Sequence, residues 1–229
     1  MAAGICMSAA VISEGYQMYQ EAIAEVSLAD KAAEIRNKDQ FTAYEELPQV
    51  YVDAVISVED KRFFEHPGID IMAIGRAVYH DIRAGAFVEG GSTVTQQLAK
   101  NMYFSQKKEL PRKIAEVFIA FDLEENYSKQ EIFELYVNTI YFGDGNYCIA
   151  DATNSYFDKT PSEMTDYEST LLAGVPNAPS RYAPTVSLTL ARQRQDQVLR
   201  RMVVCGYFTQ EKATEIVAVG SRQLQLLAQ

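Results

Sequence analysis

Ser57-Val58-Glu59-Asp60-Lys61-Arg62-Phe63-Phe64-Glu65-His66-Pro67-Gly68-Ile69-Asp70 stands between two apolar runs and concentrates charge, aromatic rings and a Pro-Gly turn in one place. The run before it, Val50 to Val58, is helical in pattern, so Glu59 and Asp60 fall at a helix end, above Phe63 and Phe64. A carboxylate set against such a wall is partly desolvated, which raises its pKa and suits it to general acid or base work. The same residues also read as a solvated helix end followed by an ordinary turn. A Glu-Asp pair alone does not choose between the two.

Upstream, Leu47 to Val58 is amphipathic, with Val50, Val52, Ala54, Val55 and Val58 among its apolar residues. Gly15 to Arg36 is Ala- and Glu-rich with a modest apolar stripe, a composition that suits a stalk better than a core. Ala2 to Ser13 is apolar or small, too short for a bilayer, which takes about 20 residues, and without a basic start. It reads either as a frayed or buried helix or as the outer half of a membrane anchor. Asn37 to Glu46 is a polar break. The expected division is therefore an anchor remnant and stalk over residues 1–40, and one compact domain over residues 41–229.

Downstream, Asp70 can cap a helix reaching Ala84, with Gly85 to end it. Ser92 or Thr93 caps the next helix, to about Phe104; Pro111 suits the first turn of another, to about Asn126. Ser128-Lys129-Gln130-Glu131 is a capping box opening a helix to about Asn138. Further helices are expected at Tyr147–Phe157, Thr165–Ala173, Leu188–Cys205 and Thr209–Val219. Nothing alternates with period two between turn signals, so the fold class is mainly α.

Among 229 residues, 48% hydrophobic and 23% charged, there is ample material for one large core. A net charge of -10 argues against nucleic-acid binding, which needs a basic face. Cys6, Cys148 and Cys205 are widely spaced, and with only His66 and His80 beside them they form neither a disulfide framework nor a zinc pattern.

Two further constellations carry chemistry. In Gly90-Gly91-Ser92-Thr93-Val94-Thr95-Gln96-Gln97-Leu98-Ala99-Lys100-Asn101, two glycines precede a helix cap, leaving backbone N–H groups able to face an anion. Gln96, Gln97, Lys100 and Asn101 add long donors near one face; an ordinary helix start has the same look. In Arg112-Lys113-Ile114-Ala115-Glu116, Arg112 and Glu116 are four apart and share a face. With Lys100, Lys107 and Lys108 they concentrate basic charge in an acidic chain. That suits a phosphate or diphosphate, which arginine grips bidentately and lysine holds as a point charge. A solvated ion-paired face is the alternative.

Taken together, Glu59 to Asp70, Gly90 to Asn101, and Arg112 to Glu116 with Leu123-Glu124 resemble the first three signatures of the peptidoglycan glycosyltransferases, glycosyltransferase family 51. Leu135-Tyr136-Val137-Asn138 with Tyr141-Phe142-Gly143 is similar to the fourth. Leu171 to Ser180 with Tyr182 and Pro184 is similar to the fifth. The resemblance runs in the family's order from about Phe41 to Arg200.

The resemblance implies a lysozyme-like helical domain with a mobile, partly membrane-facing jaw, polymerising lipid II onto a growing glycan strand by inverting β-1,4 transfer. By the same resemblance, Glu59 is the general base and Glu116 the second carboxylate, near the diphosphate or its metal. Asp60, Phe63, Ser92, Thr93, Gln96, Gln97, Lys100, Asn101, Lys108, Arg112 and Lys113 are the candidates for holding phosphates and sugars. A divalent cation, Mg²⁺ or Mn²⁺, is the implied cofactor. The partners implied are lipid II, the strand, the membrane and other cell-wall synthesis proteins, with no nucleic acid. Location is the bacterial cell membrane, single-pass and truncated here, with the catalytic domain extracytoplasmic; moenomycin sensitivity is implied too. Ile71, Met72, Ile74, Phe87 and Val88 either dip into the bilayer as the jaw or, for the first three, belong to the core. A monofunctional polymerase or an excised domain is expected, since Ser105-Gln106-Lys107-Lys108 has no Lys-Thr-Gly partner. The competing classes are a glycan-cleaving lytic transglycosylase, which has little use for a diphosphate site, and a non-catalytic wall scaffold.

Overall fold

The computed structural model describes residues 2–84, 91–104 and 110–227. In chain order its helices are α1 (Ala2–Glu25), α2 (Leu28–Arg36), α3 (Gln49–Glu59), α4 (Ile71–Ala84), α5 (Val94–Tyr103) and α6 (Leu110–Asn126). They continue with α7 (Lys129–Val137), α8 (Ile149–Phe157), α9 (Asp166–Leu172), α10 (Pro179–Tyr182), α11 (Pro184–Cys205) and α12 (Gln210–Leu227). Among the described residues there is no strand, only an isolated bridge between Gly143 and Asn146. The domain is mainly α, as the missing period-two pattern requires.

The chain divides into two compact units, Met1–Lys38 with Arg62–Thr139, and Asp39–Lys61 with Ile140–Gln229. One crossing point, between Lys61 and Arg62, falls inside the segment that carries Glu59 and Phe63. A single cut near residue 40 is how composition divides the chain; contacts instead join the first 38 residues to a later segment.

In the first unit, α1 lies along α6. Gly15 permits the approach: a Cβ there would stand 2.5 Å from Ile114 Cβ. The Tyr16 and Tyr19 rings meet Phe118 at 5.1 and 5.4 Å, and Tyr19 Oη donates to Asp122 Oδ2 at 2.7 Å. Burial, then that bond to Asp122, push the Tyr19 phenol up to about 12. The polar segment read as a stalk is thus two helices, one side of the first being aromatic and occupied. Ser27 caps the second, its Oγ accepting from Asp30 N at 3.1 Å. Arg36 at its end pairs with Glu131 and Glu134 of α7, at 3.0 and 3.2 Å. No helix among the described residues is long and apolar enough to cross a membrane.

The core of this unit is built from Leu98 and Ala99 of α5, Ala115, Ile119, Ala120 and Leu123 of α6, and Ile132, Phe133 and Tyr136 of α7, all buried. α4 is capped by Asp70, whose Oδ1 accepts from Ala73 N at 2.8 Å. Ile71 and Met72 at its start are 74% and 69% exposed, so they are not core. Phe87 and Val88 lie outside the described residues.

In the second unit, α3 packs against α9 and α11 through Val52, Ala54, Val55 and Ile56, with Leu171, Leu172, Val198 and Met202 buried there as well. The long helix α11 is interrupted at Ser187, whose φ of -161° and ψ of 99° are extended. Ser187 Oγ accepts from Leu190 N at 3.3 Å and so restarts the helix, which is regular from Leu188 as its sequence pattern predicts.

Candidate active site

The first turns of α6 carry the densest charge. Pro111 near its start costs no hydrogen bond, because the first N–H groups of a helix have no internal partner. Arg112, Lys113 and Glu116 then rise on one face. Glu116 is 1% exposed, and a buried carboxylate must be paired. Lys113 Nζ sits 2.6 Å from Glu116 Oε2, and Arg112 Nε 3.2 Å from Oε1. The Arg112 contact is within ion-pair reach but misaligned for a hydrogen bond, so Oε1 accepts none. Lys113 Nζ also donates to Ser92 Oγ at 2.8 Å, which ties the segment before α5 to α6. Two cations around one carboxylate leave a local excess of positive charge, and Lys113 remains 42% exposed.

On α5, the predicted residues divide by what they touch. Thr93 caps the helix: its Oγ1 accepts from Gln96 N at 3.1 Å, and its N–H donates to Gln96 Oε1 at 3.1 Å. Both are buried, so Thr93 and Gln96 serve the helix start rather than an open surface. Gln97, Lys100 and Asn101 are half-buried along one face, and Tyr136 Oη donates to Gln97 Oε1 at 3.4 Å. Lys108 lies outside the described residues.

Phe63 is 0% exposed, edge-on to Phe133 at 6.1 Å, and is a core residue of the first unit. The turn after it is held by Gly68, whose φ of +97° favours glycine. Arg62 grips Asp70 through two hydrogen bonds, Nε to Oδ2 at 3.0 Å and Nη2 to Oδ1. The Arg62 bond first, then that from Ala73, hold Asp70 down to about 2 against the cost of burial. Pattern reading assigns Asp70 its cap but gives Arg62 no role. The Arg62–Asp70 spacing of eight residues, across a Pro-Gly turn, has no helical or strand periodicity to signal it.

In the second unit, Glu59 ends α3 and is half-buried; Asp60 is the helix's C-cap and is buried. Tyr51, on the same helix, is fully enclosed, and burial followed by the Glu59 charge pushes its phenol up. The placement of Glu59 at a helix end is as its sequence predicts.

Among the described residues no three His, Cys, Asp or Glu side chains gather as ligands. Glu116 already faces a guanidinium and an ammonium, which repel a second cation. The described residues do not build a protein-held seat for Mg²⁺ or Mn²⁺.

The described residues thus form a helical domain with a buried, doubly paired carboxylate on α6. A family model described as Transglycosylase matches residues 26–203, and the chain belongs to that family. It is similar to penicillin-binding protein 1F of Bacillus subtilis (strain 168), 47% identical over 181 residues, which cover 79% of this chain and 25% of that protein. It is also similar to penicillin-binding protein 2D of the same organism, 39% identical over 203 residues, covering 88% of this chain and 29% of the other. Against the crystal structure of penicillin-binding protein 1A from Haemophilus influenzae, the identity is 30% over 54% of this chain and 15% of that one, with a TM-score of 0.37. The chain spans about a quarter of the length of the curated relatives it matches.

Proposed function

We propose that this domain is a peptidoglycan glycosyltransferase that polymerises lipid II, drawing its donor from a strand linked to polyprenyl diphosphate. The observation that carries the proposal is the Arg112–Lys113–Glu116 group tied to Ser92, a cationic seat on a transglycosylase domain. A hydrolase acting on neutral glycan has little need of it.

In the proposed reaction the 4-hydroxyl of the acceptor sugar attacks the donor's anomeric carbon from the face opposite the diphosphate. The new C–O bond forms as the bond to the diphosphate oxygen breaks, and the leaving group keeps that electron pair, so the anomeric centre inverts. Glu59 takes the acceptor proton as general base. Arg112 and Lys113 stabilise charge developing on the departing diphosphate, which makes a protonated acid unnecessary. Glu116 holds these two cations apart and oriented. Lys100 and Lys108 are proposed, by the family resemblance, to contact the phosphates as well.

The exposed apolar start of α4, Ile71 and Met72, supports contact with the membrane that carries such a substrate. The domain is placed on the outer face of the bacterial cell membrane, alongside other wall-synthesis proteins, and moenomycin is expected to inhibit it.

The test is Glu59→Gln in a polymerisation assay on purified lipid II. General-base catalysis is worth roughly 10²–10⁴-fold, so turnover is expected to fall by about that factor while lipid II binding stays near wild type. A folded variant with near-normal turnover removes Glu59 from its role.

A further inference from the structure

Lys129, the first residue of α7, makes three contacts that its sequence neighbours do not. Its Nζ donates to the His66 carbonyl at 2.7 Å and to Glu124 Oε1 at 2.7 Å, and stands 4.6 Å from the centre of the Phe63 ring. The same Glu124 oxygen accepts from Thr95 Oγ1 at 2.6 Å. A single carboxylate oxygen on α6 thereby holds groups from α5 and α7, with the Lys129 and Glu124 side chains only 18% and 11% exposed.

The turn that Lys129 grips is itself fitted against these helices. A Cβ on Gly68 would stand 3.0 Å from the Ala120 carbonyl oxygen and 3.2 Å from Glu124 Cγ. The Gly68 N–H donates to His66 Nδ1 at 3.1 Å, and its carbonyl accepts from Thr93 Oγ1 at 2.6 Å. The start of α5 is therefore held from two sides. Thr93 and Thr95 fasten it to the turn and to Glu124, while Ser92 fastens it to Lys113. Glu116 and Glu124 lie eight residues apart on α6, about 12 Å along its axis.

A sheltered ion pair adds little net stability, because desolvation offsets its attraction. What this one holds in place is the Glu124 oxygen that Thr95 of α5 bonds and, through the His66 carbonyl, the turn that Thr93 bonds. We propose that Lys129 and Glu124 are positioning residues that keep Ser92 within reach of Lys113 and so preserve the spacing of the Arg112–Lys113–Glu116 group. The inference rests on that group being the diphosphate seat; neither Lys129 nor Glu124 is assigned contact with substrate.

The experiment compares Lys129→Met, Lys129→Arg and wild type by calorimetric titration with farnesyl diphosphate, alongside thermal melts and the kcat and KM for lipid II. Lys129→Met retains the packing on Phe63 and loses both hydrogen bonds. Its affinity for the probe and its kcat are expected to fall about tenfold or more, the scale of a small misplacement at a reacting centre. Its melting temperature is expected to stay within a few degrees of wild type, and Lys129→Arg to recover most of both losses. A Lys129→Met protein with wild-type probe affinity overturns the proposal, as does a loss that only follows a lowered melting temperature. The polymerase assignment fails separately, through a wild-type chain that binds the probe yet makes no polymer.

Discussion

At the scale of single residues, the chemistry turns on which charges are paired and with what. Arg112 pairs with Glu116; in the proposed reaction it also holds the diphosphate, so removing it withdraws one charged hydrogen-bonding group from the ligand. Hydrogen bonds to charged groups are worth about 1.5–3 kcal/mol. Arg112→Ala is therefore expected to weaken a diphosphate ligand by roughly ten- to a hundredfold, measured by titration calorimetry, with Arg112→Lys intermediate. Asp70 offers a test of electrostatics away from the chemistry. Its folded value of about 2 lies below an ordinary aspartate near 3.9. The stabilisation is thus complete above about pH 4 and is lost as pH falls through about 2, and it amounts to roughly 2 kcal/mol. In urea denaturation, wild type is expected to exceed Asp70→Asn by that margin at pH 6, with the gap closing towards pH 2. A gap that does not change with pH contradicts the pairing as its source. Glu59, Glu116 and Arg112 were legible as a pattern of charges. That Gln96 bonds back to Thr93 was not read from the sequence, which counted Gln96 among the donors for a ligand, although the two sit at the spacing of a capping box. What no pattern showed was Lys129 against Phe63, a contact between residues 66 apart in the chain.

At the scale of elements, most helices announced themselves through caps. Ser128 with Glu131 and Asp70 ahead of α4 cap as their sequences predict, while the Thr165–Glu168 cap opens a helix whose range alone was expected. The four-residue α10 and the single turns were not foreseen, being too short to show a period. The segment from Gly15 to Arg36 was read by composition as a stalk, and Ala2 to Ser13 as a frayed or buried helix or an anchor remnant. A glycine followed by tyrosines at positions 16 and 19 gives little hydrophobic signal, yet it makes one flat face that α6 covers. Gly15→Leu is expected to push α1 off α6, because even one added carbon there meets Ile114 and the Pro111 carbonyl. Hydrogen exchange should then accelerate across residues 9–25 and little elsewhere in α6. Unchanged protection in α1 contradicts the packing.

At the scale of the whole molecule, an acidic chain of net charge -10 carries a compact cationic group, and under the proposed function that contrast would steer an anionic ligand to one place. The mainly α class followed from periodicity alone. The two units did not, because segments 62–139 and 140–229 part company by contacts that no local pattern encodes. The exposed Ile71 and Met72 give the membrane proposal its test. Replacing both by Asp is expected to weaken partitioning onto phosphatidylglycerol vesicles, read by cosedimentation, about a hundredfold or more, at about 1.5–3 kcal/mol for each large apolar side chain withdrawn. Equal sedimentation would leave those side chains without a membrane role. The central claim is met most directly by incubating the wild-type domain with purified lipid II in detergent and sizing the products, with and without moenomycin. The account predicts glycan strands that lengthen with time and vanish with the inhibitor. Absence of new strands, together with shortening of preformed ones, would contradict it and point to a lytic enzyme.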